Sequence, residues 1–295
     1  MAYISESIWI ASLKNRSISL VHLLIISLFL SISLIVFREI IFSPGVITME
    51  GEWNIPPFSG QFVQLFEEDL YIWGDTMGGF GSEHTSSGFY YKLFLYSLAS
   101  LGMNGEFISK ALSVFILSIT GYSMFFLGRK IGLGISSSFI AGVFFMMTPE
   151  VFNRFGIGHI SELLSNAILP FVIAFFIGSL TGKSRMKSLL LAATLAAVVS
   201  IQLTNYFVLA AILFLYTILY SLSKKNIRDF LLILRNTSFV LIIPLLSQAY
   251  WIIPFALDLS RSAEMISAEL GYVPVRFLTT EGYVFKDVIR FLGTH

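Results

Sequence analysis

Met186 to Leu222 form one largely apolar run of 37 residues, broken only by Gln202-Leu203-Thr204-Asn205. A helix needs roughly 20 apolar residues to cross a hydrocarbon core about 30 Å thick. The run is therefore too long for one crossing and suits two helices joined by a tight hairpin whose polar tip reaches the far interface. Few other folds can accommodate it. Composition agrees: 56% of the 295 residues are apolar and 13% charged, with a mean hydropathy of +0.80, against about 45–50% apolar and about 25% charged in soluble domains. These values exclude an ordinary soluble enzyme, a disordered chain and a nucleic-acid binder. The net charge of +1 leaves no basic surface for polyanions. With no cysteine, disulfide scaffolds, thiolate metal sites and cysteine nucleophiles are excluded as well.

Five further stretches complete the expectation of an all-α polytopic membrane protein of about seven transmembrane helices. The predicted spans are 18–42, 106–127, 132–148, 161–180, 186–201, 204–222 and 237–257. Lys14 and Arg16 give the first a basic front, but its apolar core is too long for a signal peptide and no small-x-small site follows, so it reads as an uncleaved anchor. Lys and Arg set the orientation. Lys14, Arg16, Arg129, Lys130, Lys183, Arg185, Lys187, Lys224, Lys225, Arg228 and Arg235 fall on one side. On the other, the 63-residue loop 43–105 carries Lys92 as its one basic residue before the second span, with Glu50, Glu52, Glu67, Glu68, Asp69, Asp75 and Glu83. The expectation is a plasma-membrane protein with its N-terminus cytoplasmic, and the acidic loop and the tail from Asp258 outside.

The outer loop is far longer than an ordinary connection, and long loops tend to carry function. Pro56-Pro57 and Gly78-Gly79-Phe80-Gly81 argue against regular structure within it, whereas Phe89 to Leu101 suits an interfacial helix. Ile227 to Leu234 reads as a second surface helix. The segment 261–295 alternates polar and apolar residues and stops without a cap, which suggests a fragment or a subunit completed by another chain.

Two constellations could carry chemistry. In the acidic loop, a carboxylate near the low-dielectric boundary is a candidate general base. Glu52 is the first choice, framed by Gly51, Trp53 and the Pro56-Pro57 pair; Glu68 and Asp69 follow, and Glu67-Glu68-Asp69 offers oxygen ligands for a divalent cation, Mg2+ or Mn2+. The second is Pro149 to His159 (PEVFNRFGIGH), read as an outer loop between spans three and four, where Arg154 and His159 stand at the bundle mouth. An Arg fork suits phosphate, and Gly156 and Gly158 let backbone approach a ligand. The bland alternatives are solvated loop acids, an Arg snorkelling to headgroups and a His preceding the next helix.

One span, a long acidic outer loop with a surface helix and then a bundle of spans resembles the membrane core of GT-C glycosyltransferases, most closely the arabinofuranosyltransferase-like and YfhO-like branch. The stretches that carry the likeness are Gly51-Glu52-Trp53-Asn54-Ile55-Pro56-Pro57 with Trp73-Gly74 and Gly78-Gly79, and Pro149 to His159 leading to Ala167-Ile168-Leu169-Pro170. It covers about residues 15–260. The resemblance implies transfer of a sugar from a polyprenyl-phosphate donor to an acceptor on the outer face, with Glu52, Glu68 or Asp69 as the base and Arg154 and His159 on the donor phosphate. It departs at the base: the family's early loop acid is usually Asp, and every acid before Asp69 is Glu. A lipid or polysaccharide transporter and a non-catalytic subunit of a larger complex are the rival readings.

Overall fold

The computed structural model describes residues 20–47, 55–70, 89–181, 184–224, 227–250 and 252–253, without the side chains of 65, 68–70 and 224. These residues are helical with no strand among them. In chain order they are α1, which runs through Leu20–Val36, then α2 (Arg38–Phe42), α3 (Ser59–Leu70), α4 (Phe89–Ser100), α5 (Gly105–Lys130), α6 (Ile135–Met146), α7 (Pro149–Ile157), α8 (Ile160–Thr181), α9 (Arg185–Val199), α10 (Leu203–Lys224) and α11 (Ile227–Ser247). Five segments are long and apolar enough to cross a bilayer: 105–130, 135–157, 160–181, 203–223 and 227–247. That is the build of an α-helical membrane protein. The expected spans at 18–42 and 186–201 correspond to shorter helices, α1 with α2 and the 15-residue α9.

The 186–222 run divides at Ser200 to Gln202 into α9 and α10, but the two do not pair as a tight hairpin; both pack on α11. Three other expectations are corrected. Residues 227–234 and the start of the 237–257 span are one continuous helix, α11, because Asn236 and Thr237 find partners inside the bundle. Asn236 donates to Ser179 Oγ at 3.3 Å and Thr237 shares a 2.8 Å hydroxyl contact with Thr217. Residues 149–157 are a helix rather than a loop. The segment after Pro56-Pro57 also becomes helical, as α3, which packs on α4 with Phe66 stacked 5.1 Å from Tyr96.

Lipid removes the hydrophobic drive between spans, so association rests on close packing and hydrogen bonds. Phe29 supplies one such close contact. It is fully buried where α1 crosses α5 and α6, seated against Gly121 and Gly142. A ladder of rings ties α5 to α8: Tyr122 and Phe126 both meet Phe171, and Phe126 meets Phe175 at 5.4 Å. Since the contacts advance in step along both sequences, α5 and α8 run parallel. Hydroxyls inside the spans mostly return to their own helix, as when Ser33, Thr120 and Thr217 bond the carbonyl four residues back, which removes the cost of carrying them in lipid.

The alternation of helices gathers the 42–47, 105, 157–160, 200–203 and 247 junctions at one end. Gly45 reaches Glu106, Gly105 reaches Pro57, Asn205 reaches Glu162 and Tyr90 reaches Ser247. The opposite end holds the turn at 131–134 and the last residues of α8.

Candidate functional site

At the first of these ends two helices meet at a sharp break. Thr148 sits in extended backbone as the N-cap of α7, Pro149 takes the first turn, Glu150 lies in that turn and Arg154 in the last. Each suits its place: proline gives up no needed N–H at a helix start, and the macrodipole favours an acid first and a base last. Gly158 ends the helix at φ +88°, a left-handed conformation that only glycine adopts without strain. Its N–H and that of His159 both donate to the Arg154 carbonyl at 3.0 Å. The chain then turns directly into α8, whose first turn carries Glu162.

This break folds four ionisable side chains together. Arg154 donates from Nε to Glu150 Oε1 at 2.7 Å and reaches Glu162 Oε2 from Nη1 at 3.2 Å. His159 Nδ1 lies 3.1 Å from Arg154 Nη1 and 3.2 Å from Glu162 Oε2. The two carboxylates differ in exposure: Glu162 keeps 13% of its side-chain surface accessible and Glu150 41%. Arg154 is therefore fixed to Glu162 on the inner side and held by a more replaceable partner on the outer. Arg154 and its two carboxylates carry two negative charges against one positive. The group is not an open cationic trap: two carboxylates already engage the guanidinium, and an anion competes first with Glu150, the more exposed of them.

Neighbouring elements brace the group. Asn205, at the head of α10, donates to the Glu162 carbonyl at 3.2 Å, and Ser165 of α8 donates to Val199 at 2.9 Å. The polar tip of the 186–222 run thus satisfies backbone on the adjacent helix. Phe155 meets Phe37 at 5.1 Å, which joins α7 to the end of α1.

The structure brings Arg154 and His159 together as the sequence suggested. Sequence reasoning missed Glu150 and Glu162 as their partners. The Glu150/Arg154 spacing of four was visible as a helical ion pair once 149–157 is read as a helix; Glu162 needed the Gly158 turn. Of the candidate loop acids, Glu52 lies outside the described residues. Glu68 and Asp69 fall on α3, their side chains outside the described set, while Glu67 is exposed. Residues 67, 68 and 69 occupy successive positions of that helix. Among the described residues, no group of three His, Cys, Asp or Glu side chains is arranged to hold a metal ion.

A second polar group was also missed. Glu106 in the first turn of α5 accepts from Lys110 Nζ at 2.6 Å and from Gly45 N–H at 3.1 Å, while Lys110 also donates to the Ser43 carbonyl. Together they pin the chain after α2 to the head of α5. No protein-family model, curated protein or solved structure matches the chain.

Proposed function

We propose that the chain is the membrane module of a GT-C-like glycosyltransferase that moves a sugar from a polyprenyl-phosphate donor to an acceptor at the outer face of the plasma membrane. The observation that carries this reading is the Glu150–Arg154–His159–Glu162 group, placed at one end of a bundle of span-length apolar helices. A lipid-linked donor presents its phosphate at that depth. Developing charge on the leaving phosphate needs a preorganised cation, and the acceptor needs a base. Arg154 and His159 take the phosphate, and Glu52, Glu68 and Asp69 remain the candidates for the base. A divalent cation, Mg2+ or Mn2+, would assist at the phosphate.

The same reading takes α1 with α2, and α9, as crossings, for seven in all. It places the N-terminus and the basic turns in the cytoplasm and the acidic loop outside, following the Lys and Arg asymmetry. In this reading residues 1–260 form the transmembrane module and 261–295 an outer-face tail.

One observation favours a second reading, a non-catalytic membrane subunit. Arg154 already holds two carboxylates, an arrangement that also serves to lock α7 against α8. Transfer of labelled sugar from a polyprenyl-phosphate donor by purified protein in lipid separates the two. Transfer reduced in Arg154→Ala and lost in one of Glu52→Gln, Glu68→Gln or Asp69→Asn supports the enzyme. A folded chain that transfers nothing, with every partner supplied, supports the subunit.

A further inference from the structure

A groove of about 810 Å3 runs between α1 and α5. Ile26, Leu30 and Leu34 line one wall, and Ala111, Phe115 and Ile119 the other. The lining on the first helices extends from Ile26 to Ile41, about 22 Å of helix rise, which exceeds the depth of one leaflet, about 15 Å. Asn104, Glu106 and Lys110 stand at one end. They are ordered there: Asn104 caps α5 through the Phe107 N–H at 2.8 Å, and Lys110 is tied to Glu106 and to Ser43. An apolar channel of leaflet depth with a charged mouth has the shape of an amphiphile.

The mouth also selects among amphiphiles. Glu106 and Lys110 form a complete pair at 2.6 Å, so no net charge is offered. A head with a single charge would satisfy one member and confront the other with its own sign. A head carrying phosphate and ammonium side by side complements both, with phosphate on Lys110 and ammonium on Glu106, whose side chain is 42% exposed. We propose that this groove is a binding site for one zwitterionic phospholipid of the ethanolamine type, with an acyl chain between α1 and α5. This site is independent of the transferase reading, which concerns α7, α8 and the acids at 52, 68 and 69.

The test uses the full chain in nanodiscs of phosphatidylglycerol doped with phosphatidylethanolamine bearing a photoreactive acyl chain. After irradiation, labelled peptides are mapped by mass spectrometry. Labelling is expected to concentrate in 26–41 and 104–122 and to exceed that of α10, whose Phe207, Phe214 and Leu219 are all exposed. Ala111→Trp and Leu34→Trp both fill the groove from exposed positions and should each remove most of that labelling. Glu106→Gln should erase a preference for the ethanolamine head over a glycerol-headed analogue of about fivefold, the scale of one exposed ion pair. Labelling of α10 equal to that of the groove, or a groove that takes both heads equally in the unaltered protein, overturns the proposal.

Discussion

Phe29 makes the packing of α1 open to a quantitative test. A Cβ added at Gly142 would lie 2.5 Å from both the Gly121 carbonyl oxygen and the Phe29 ring. The carbonyl is backbone and moves only if α5 and α6 separate, which forfeits their other contacts. At Gly121 the new atom meets the Phe29 ring at 2.5 Å and Met146 Sδ at 3.0 Å, both side-chain atoms. Overpacking costs about 1–3 kcal/mol, set against about 1 kcal/mol gained wherever alanine replaces a helical glycine. Gly142→Ala should therefore destabilise by up to about 2 kcal/mol, and Gly121→Ala by less. Gly156→Ala, where nothing lies within 4 Å, should stabilise by up to about 1 kcal/mol. Adding Phe29→Leu should relieve Gly121→Ala and leave most of the Gly142→Ala penalty, since the carbonyl clash persists. Reversible unfolding in mixed micelles, read as double-mutant cycles, measures all four terms. Equal stabilities for Gly142→Ala and Gly156→Ala would refute the reasoning.

Three other outcomes are expected. Double-mutant cycles should give a coupling of Arg154 to Glu162 of about 1–2 kcal/mol and to the more exposed Glu150 of about 0.5 kcal/mol, with 1 M salt (a Debye length of about 3 Å) weakening mainly the second. Asn104→Ala, which removes the cap on the Phe107 N–H, should cost about 1 kcal/mol, and hydrogen exchange should locate the loss in the first turn of α5. Gly158→Ala imposes a left-handed backbone on alanine at φ +88°, costing about 1–2 kcal/mol; crosslinking between cysteines introduced at 154 and 162 should fall as the break opens.

Five long apolar helices were legible because lipid demands them, and the Met186–Leu222 run could be divided only at its polar tip. The boundaries that failed were those set by tertiary partners. Asn236 and Thr237 look like the foot of a new span until Ser179 and Thr217 are seen to receive them. Around 149–157 the start signals were present, with Thr148 before Pro149 and an acid in the first turn, yet the glycines that follow drew the reading toward a loop. Arg154 and His159 were legible as a pair from their chemistry. Their electrostatic state was not, because Glu162 approaches only after Gly158 turns the chain. The Glu106–Lys110 spacing of four was likewise visible, but the link to Ser43 and Gly45 spans about sixty residues and depends on the packing of α1 against α5.

The proposed role of Arg154 depends on whether the donor phosphate can take the place of Glu150. The most direct measurement is the donor KM for sugar transfer in the unaltered protein, Glu150→Gln and Arg154→Ala. Glu150→Gln removes the competing carboxylate and should lower the donor KM by about fivefold, while Arg154→Ala should raise it and reduce transfer. A donor KM unchanged in both variants would contradict phosphate binding at this group and leave it as a latch between α7 and α8.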